Sequence, residues 1–264
     1  MNRSAERLCI PPVDEAFVLE ALITFLKLES SWVPKNQGTS LYIRPFIIAT
    51  DPFLGVRPSN TYLFSIILSP VGAYYPEGFN PVKIMVAADY VRAVKGGLGE
   101  VKTPANYAAS LYAAEVAKKN GYTQVLWLDG VERKYVDEVG TMNIFFLIDN
   151  ELLTPPLEGS VLGGITRDSV IHLAKYWGFK VKERLISIEE VFEATDKGSL
   201  QEVFGSGTAA VISPVGELAY QEKKITINQG KTGDLANRLY EEINSLQYGQ
   251  KPDPFGWIMV VHQE

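Results

Sequence analysis

Cysteine, histidine and long apolar runs are all scarce in this chain of 264 residues. It has one cysteine, Cys9, and two histidines, His172 and His262. An internal disulfide is therefore excluded, and so is a zinc site built from cysteine and histidine. No apolar run reaches the length of a membrane span, and the first residues form no apolar signal core. We therefore expect a cytoplasmic protein that has no membrane partner.

Excess charge of one sign is also missing. The chain carries 25 lysines and arginines against 31 aspartates and glutamates, which gives a formal net charge of −6. Proteins that bind polyanions usually concentrate positive charge, so we do not expect a nucleic-acid partner. Apolar residues make up 46% and charged residues 21% of the chain, which is typical of a globular protein. This length allows one large domain or two modest ones.

Helical and strand-like segments are mixed without a regular βαβ alternation, which favours an α+β fold over a doubly wound sheet. The first helix is predicted from about Asp14, a suitable N-cap, to Glu29. Further helices are predicted at 104–121, 166–177, 187–194 and 232–246. Strands are predicted at 41–49, 62–68 (a buried strand), 82–87, 124–128, 141–148, 179–186 and 209–213. The glycine- and proline-rich stretch 72–81 is the best candidate for a domain boundary.

Glycines surround Lys102 in the segment 96–103, which reads Gly-Gly-Leu-Gly-Glu-Val-Lys-Thr. A P-loop needs glycine directly before its lysine, so that the backbone can wrap a phosphate. Val101 occupies that position, and a P-loop is therefore excluded. What remains is a lysine beside a glycine-rich turn and just before a helix. On its own, a solvated surface lysine explains this pattern more simply than a functional one.

Three further segments carry chemical groups with more than one interpretation. Glu138 precedes an apolar strand, either as a solvated carboxylate or as one held against a buried cation. Gly163 and Gly164 precede an amphipathic helix whose first N–H groups suit an anion such as phosphate. The turn at 204–210 offers hydroxyl and N–H groups to a phosphate or carboxylate. Each glycine segment, taken alone, is more simply an ordinary turn.

The two remaining scarce residues have simple structural interpretations. His172 lies within a predicted helix, which favours a surface or packing role over catalysis. Cys9 is expected to be a small buried residue.

Taken together, these segments supply a lysine, a carboxylate and two candidate phosphate turns, with no expected metal ligands. That set fits pyridoxal 5'-phosphate as a cofactor. In such sites a lysine binds the cofactor covalently, an acid pairs with its pyridine nitrogen and N–H groups hold its phosphate.

A longer pattern runs through the same residues. It comprises Glu138, Asn143-Ile144-Phe145, Leu152-x-Thr154 and Leu162-x-Gly164-Ile165-x-Arg167. To these it adds Leu41-Tyr42-Ile43-Arg44-Pro45, the stretches 138–145 and 204–209, and Gln247-Tyr248-Gly249. With this pattern the chain resembles the branched-chain amino acid aminotransferases, which are fold-type IV pyridoxal-phosphate enzymes. The resemblance runs along essentially the whole chain.

The resemblance implies a role for each cofactor-binding position. Lys102 matches the catalytic lysine, which holds the cofactor and moves a proton at the substrate α-carbon. Glu138 matches the carboxylate that keeps the pyridine nitrogen protonated, and Tyr107 the tyrosine that hydrogen-bonds the phenolic oxygen. Leu162 matches the apolar residue against the ring face. Ile165, Thr166 and Thr208 match the groups on the phosphate.

The resemblance also implies substrate contacts, an assembly and an activity. Tyr42 and Arg44 match residues at the substrate pocket and its carboxylate side. Thr141 and the Ala209 amide match further contacts, and Val56 lies in a loop that reaches the partner subunit's site. The implied protein is a homodimer with a small α/β domain at 1–75, a linker at 76–89 and a larger barrel-like domain at 90–264. It would move amino groups between leucine, isoleucine or valine and 2-oxoglutarate.

Two departures from the family pattern leave alternatives open. Some relatives carry a redox-responsive Cys-x-x-Cys where this chain has Ala210 and Ser213, so that switch is not expected here. Family members also extend upstream of the position of Met1, by a segment that supplies an arginine on the phosphate and aromatic pocket residues. One alternative is therefore a non-catalytic, truncated remnant with weak or no cofactor binding. Another is a fold-type IV relative acting on other amino acids or on an aminodeoxychorismate.

Overall fold

A computed structural model describes residues 1–36, 38–72 and 78–261. It divides into two compact units, one formed by residues 1–74 with 253–264 and the other by residues 75–252. The sequence-based boundary at 75/76 falls among residues outside the described ranges. The predicted division into 1–75, 76–89 and 90–264 stays a prediction.

The smaller unit contains two α-helices, a single 3-10 turn at Ser30–Trp32 and a two-stranded antiparallel sheet within its described residues. Its elements are α1 (Asn2–Arg7), α2 (Glu15–Leu28), β1 (Ser40–Ala49) and β2 (Tyr62–Val71). The Asp14 carboxylate accepts a 3.0 Å hydrogen bond from the Phe17 N–H, so the predicted N-cap of α2 is confirmed. In the sheet, Tyr42 lies opposite Ser69 and Arg44 opposite Ile67.

Two burial predictions for this unit are wrong. No residue of β2 is fully buried. The reason is that β2 pairs only with β1, so this ribbon has no further strand to enclose it. Cys9 is exposed rather than buried, because it lies in a turn after α1 with a φ of 56°.

The larger unit is a nine-stranded mixed sheet with helices packed against it. Its helices are α3 (Pro104–Lys119), α4 (Ile165–Tyr176), α5 (Ile188–Asp196) and α6 (Asp234–Gln247). Its strands are β3 (Val82–Val86), β4 (Gln124–Leu128), β5 (Val136–Val139), β6 (Asn143–Ile148), β7 (Glu151–Thr154), β8 (Lys180–Glu183), β9 (Leu200–Gly207), β10 (Val211–Tyr220) and β11 (Lys223–Thr226). The strand order is β5-β4-β3-β10-β9-β6-β7-β8, and β11 also pairs with β10. The α+β expectation is confirmed.

The core of the larger unit lies between the sheet and its helices. Apolar side chains from most strands form one large buried cluster, which includes Leu126, Ile144 and Phe146. On α3, Ala113 and Ala117 join a second cluster with Trp127 of β4. Burial of this apolar area is the main term that stabilises the unit.

The strand β10 extends well beyond its predicted end at Ser213. It pairs antiparallel with β9 up to Pro214 and then parallel with β3 from Val215. A register shift lies between Val215 and Glu217, where the strand changes partner. Pro214 lacks an N–H donor and is therefore unusual inside a strand. It is accommodated here because it lies where β10 changes from one partner strand to the other.

Candidate active site

One cavity in the larger unit brings together five of the predicted site residues: Lys102, Tyr107, Glu138, Thr141 and Leu162. It is also lined by Arg92, Gly99, Val101, Asn106 and Gly140. The residues come from three places: the segment before α3 and the first turn of α3, the end of β5 with the turn that follows it, and the loop before α4. This convergence places an amine, a phenol and a carboxylate around one space.

Lys102 lines the cavity and lies two residues before the start of α3. The helix starts at Pro104, as predicted, because proline fits the first helical position without losing a hydrogen bond. Tyr107 lies in its first turn, and its hydroxyl is 2.9 Å from the Lys102 amine. The Asn106 side-chain amide donates to the carbonyls of Leu98 and Val101, each at 2.8 Å, and so fixes the turn before the lysine.

The glycine-rich segment before Lys102 is used for close approach rather than for a P-loop. A Cβ atom on Gly99 would lie 2.2 Å from the carbonyl oxygen of Ser160. Only glycine therefore allows the segment 96–102 to pack directly on the loop before α4.

Glu138 is a buried carboxylate that faces a buried cation. The residue is 3% exposed, and one carboxylate oxygen lies 3.2 Å from Nη2 of Arg92. The other oxygen accepts a 2.7 Å hydrogen bond from the Leu162 N–H. Burial raises the pKa of Glu138 to about 7, although Arg92, the Leu162 N–H and Lys102 all lower it and Asp137 raises it further. Of the two interpretations of Glu138, the solvated one is therefore wrong.

The loop before α4 is attached to the sheet by side chains. Asn143, the first residue of β6, donates to the Leu162 carbonyl at 2.8 Å. A Cβ on Gly164 would lie 2.3 Å from Oδ1 of Asn143, so a larger residue at the start of α4 would displace this contact. Leu162 is thereby held at the edge of the cavity between Glu138 and Asn143.

The helix α4 starts close to the cavity, three residues after Leu162. Gly164 is its N-cap, and no side chain among the described residues caps its first turn. The N–H groups of Ile165 and Thr166 therefore remain available to an anion. Arg167 is buried and anchors the helix start through the Pro155 carbonyl at 2.9 Å and Glu183 at 2.7 Å.

Thr208 and Ala209 lie in an exposed turn between β9 and β10. The turn was predicted at 204–210 and the next strand from 209, but residues 204–207 belong to β9, because they pair with β10, and β10 begins at Val211. Thr208 and Ala209 do not line the cavity. Ser206, two residues before Thr208, pairs with Asn143 in the sheet. The turn therefore lies near the end of the sheet where Asn143 binds the loop before α4.

Tyr42, Arg44 and Val56 lie in the smaller unit. Arg44 donates to the Tyr42 hydroxyl at 3.0 Å, and its guanidinium carbon lies 4.9 Å from the centre of that ring. Val56 is fully exposed in the loop between β1 and β2. The expected contacts of these three residues with substrate stay predictions.

Sequence reasoning missed Arg92 and Asp137, which adjoin Glu138. Asp137 is 7% exposed and accepts a 3.1 Å hydrogen bond from the Ser160 hydroxyl. Burial raises its pKa to about 6, while Ser160 and Arg92 lower it. No local pattern marks Arg92, because its partners Glu138 and Ser160 lie tens of residues away. Adjacent acids in an otherwise apolar segment, Val136 to Val139, are the only signal in the sequence.

Among the described residues, the histidine and acidic side chains do not form a second candidate site. His172 is exposed on α4, with Nδ1 lying 3.4 Å from the Asp168 carboxylate, which agrees with the expected surface role. His262 lies outside the described residues. Over the described ranges, no group of three or more histidine, cysteine, aspartate or glutamate residues is arranged to hold a metal ion. In the same ranges, no helix combines the length and the apolar character needed to cross a bilayer.

Comparison with known families gives a match over most of the chain. The family model described as "Amino-transferase class IV" matches residues 1–218. Branched-chain-amino-acid aminotransferase 2 of Bacillus subtilis (strain 168) is 58% identical over 257 residues, which are 97% of this chain and 71% of that protein. Branched-chain-amino-acid transaminase 1 of the same organism is 55% identical over 262 residues, 99% of this chain and 74% of that protein.

Solved structures of branched-chain amino acid aminotransferases also match this chain. The branched-chain amino acid aminotransferase of Escherichia coli matches with a TM-score of 0.81 and 31% identity, over 98% of this chain and 81% of that one. The T.th. branched-chain amino acid aminotransferase, solved with pyridoxamine 5'-phosphate, matches with a TM-score of 0.83 and 28% identity, over 98% and 80% of the two chains. These similarities confirm the fold expected from the sequence.

Proposed function

Since the chain belongs to the class IV aminotransferases, we propose that it transaminates branched-chain L-amino acids with pyridoxal 5'-phosphate as cofactor. Leucine, isoleucine and valine give up their amino group to 2-oxoglutarate, and the products are branched-chain 2-oxo acids and L-glutamate. The observation that carries the proposal is the cavity in which the Lys102 amine lies 2.9 Å from the Tyr107 hydroxyl and shares its lining with the buried Glu138 carboxylate.

The groups that line the cavity, together with the start of α4, fit this cofactor. Ile165 and Thr166 at that helix start do not line the cavity themselves. An amine is present for its aldehyde, a buried carboxylate for its ring nitrogen and an uncapped helix start for its phosphate. When bound, pyridoxal phosphate supplies an electron-withdrawing ring that stabilises negative charge at the substrate α-carbon.

Lys102 is the catalytic residue in this proposal. It would bind the cofactor covalently and move a proton at the substrate α-carbon. Tyr107 limits where the amine can lie, because the two groups are in hydrogen-bond contact. It also donates to the cofactor's phenolic oxygen.

Glu138 holds the proton at the ring nitrogen. Its carboxylate accepts a hydrogen bond from the Leu162 N–H, which would help it to keep its direction when the ring binds. Leu162, which lines the cavity, would pack against the face of the ring. The N–H groups of Ile165 and Thr166, with the Thr208 hydroxyl, bind the phosphate.

Substrate contacts complete the proposal. Thr141 lines the cavity itself. The Ala209 amide, Tyr42 and Arg44 contact the substrate, and its carboxylate lies on the Arg44 side. Val56 extends from its exposed loop to the site of the partner subunit in a homodimer, and its full exposure here is consistent with that contact. A cytoplasmic location is part of the same proposal.

The non-catalytic alternative is not favoured. Relatives that are 55–58% identical over 97–99% of this chain carry branched-chain aminotransferase names. The same relatives weigh against a substrate of the aminodeoxychorismate type.

The proposal is tested by following L-glutamate formation from 2-oxoglutarate and each of a panel of amino acids. We expect turnover with leucine, isoleucine and valine, and none with Lys102→Ala. Lys95→Ala is the matched control, because Lys95 directly precedes the same glycine-rich segment, is exposed and does not line the cavity. Substantial turnover by Lys102→Ala, or a wild-type protein that uses only other amino acids, would overturn the proposal.

A further inference from the structure

Arg92 is a buried cation in the lining of the cavity, and the proposed chemistry gives it no role of its own. Its side chain is 6% exposed. Nη2 lies 3.2 Å from the Glu138 carboxylate and donates to the Ser160 carbonyl at 2.5 Å, so one nitrogen joins two elements. Nε is buried without a hydrogen-bond partner among the described residues. A guanidinium buried in this way is costly unless its charge is compensated.

The partners of Arg92 are themselves joined. The Ser160 hydroxyl donates to Asp137, and the Leu162 N–H donates to Glu138. Adjacent acids of β5 therefore hold the loop that presents Leu162, and Arg92 contacts both that loop and Glu138. Substitution of Arg92 would release the carboxylate and the Ser160 carbonyl together.

Charged neighbours act on both Glu138 and Asp137. Glu138 faces Arg92, Asp137 and Lys102, and Asp137 in turn faces Arg92 and Asp129. Burial is the largest effect on Glu138 and favours its neutral form, while Arg92 is the largest effect that favours the ionised form. The contact with Arg92 therefore decides the charge and the direction of this carboxylate more than any other neighbour.

We propose that Arg92 is a positioning residue that acts through Glu138, by holding its carboxylate ionised and fixed between the guanidinium and the Leu162 N–H. This inference rests on the proposed function, because it concerns the carboxylate that faces the cofactor ring. It assigns to Arg92 a function in catalysis as well as in folding.

A double-mutant cycle separates these two functions. The variants are Arg92→Gln, Glu138→Gln and the two combined, with kcat measured for leucine and 2-oxoglutarate. Because loss of the Arg92 charge removes the largest effect that favours the ionised form of Glu138, we expect Arg92→Gln alone to lower kcat several-fold near neutral pH. In the Glu138→Gln background, the same change should have little further effect. An equal loss in both backgrounds would mean that Arg92 acts independently of Glu138 and would overturn the proposal.

A second readout does not depend on turnover. The absorbance of bound pyridoxal phosphate is titrated with pH in the wild-type protein, Arg92→Gln, Arg92→Lys and Arg184→Gln. We expect the midpoint to move to higher pH in Arg92→Gln, since the ring nitrogen then carries less positive charge, and to return towards wild type in Arg92→Lys. Arg184→Gln is the control, because Arg184 pairs with Glu190 and does not line the cavity. An unchanged midpoint in Arg92→Gln would contradict the proposal.

Failure of the proposed function and failure of the proposed role of Arg92 give different results. If the wild-type protein binds pyridoxal phosphate but transaminates no amino acid, the proposed function fails, while the absorbance titration still decides the role of Arg92. If Arg92→Gln does not fold, Arg92→Lys decides instead. A buried lysine loses its proton more readily than arginine, so kcat of Arg92→Lys should fall at alkaline pH where the wild-type value is constant. A profile parallel to wild type would overturn the proposal.

Discussion

Asp137→Asn should stabilise the protein near neutral pH and have little effect in acid. Asp137 is 7% exposed, and burial raises its pKa from 3.8 to about 6. A group whose pKa is higher in the folded state binds its proton more tightly there. Its contribution to stability is therefore present below the unfolded pKa and is lost as the pH rises through the folded value. Asparagine has no such loss and keeps an oxygen for the Ser160 hydroxyl.

The size of the effect follows from the two pKa values. A rise from 3.8 to about 6 corresponds to about 3 kcal/mol, since each pKa unit is worth about 1.4 kcal/mol. The difference in the free energy of unfolding between Asp137→Asn and wild type should therefore grow by about 2 to 3 kcal/mol between about pH 4 and pH 7, and stay constant above that. Removal of the Asp137 charge also eases ionisation of Glu138, which acts in the same direction.

Urea unfolding of the cofactor-free proteins at several pH values measures this difference. Tryptophan fluorescence is a suitable signal, because Trp127 is buried in the same unit. The control is Asp129→Asn. Burial raises the pKa of Asp129, but four backbone N–H groups outweigh it and lower the pKa overall. Asp129→Asn should therefore destabilise the protein, and more at neutral pH than in acid. A difference for Asp137→Asn that does not change with pH would refute the reasoning.

Three further predictions concern single contacts. Tyr107→Phe removes the 2.9 Å contact with the Lys102 amine, so kcat should fall while the cofactor is retained, and loss of the cofactor from the desalted protein would contradict this. Glu202→Gln should destabilise the protein by about 1–3 kcal/mol in urea unfolding, because Glu202 is buried and accepts hydrogen bonds from two backbone N–H groups at the start of α6, each at 2.9 Å. Unchanged stability would show that one acceptor oxygen is enough. Gly99→Ala places a Cβ 2.2 Å from the Ser160 carbonyl oxygen and should weaken cofactor retention as well as stability, whereas normal values of both would contradict the close packing.

Elements with strong local signals could be predicted from the sequence. The helix α2 follows its N-cap Asp14, α3 starts at Pro104, and β4 occupies its predicted residues 124–128. In each case neighbouring residues supply the cap, the restricted φ or the apolar run, so tertiary context adds little.

Elements that depend on distant partners could not be predicted. No local signal indicates β5, because Asp137 and Glu138 are adjacent acids and a strand usually exposes one of two adjacent side chains. Both are buried here, since the loop before α4 supplies hydrogen bonds to each of them. The short strands β7 and β11 were missed for a related reason: each has four residues and is fixed by its partner strand.

The candidate site, too, could be predicted from the sequence only in part. The family resemblance implies site roles for Lys102, Tyr107, Glu138, Thr141 and Leu162, and the structure places them around one cavity. Arg92 was not named, because a buried arginine is recognisable only from the carboxylate and carbonyl that surround it.

The visible absorbance spectrum of the purified protein tests the central claim most directly. The protein is incubated with pyridoxal phosphate, desalted and compared with Lys102→Ala. The account predicts a retained cofactor band in the wild-type protein that leucine removes and 2-oxoglutarate then restores, and no such cycle with Lys102→Ala. A folded wild-type protein that retains no cofactor band, or whose band does not respond to leucine, would contradict it.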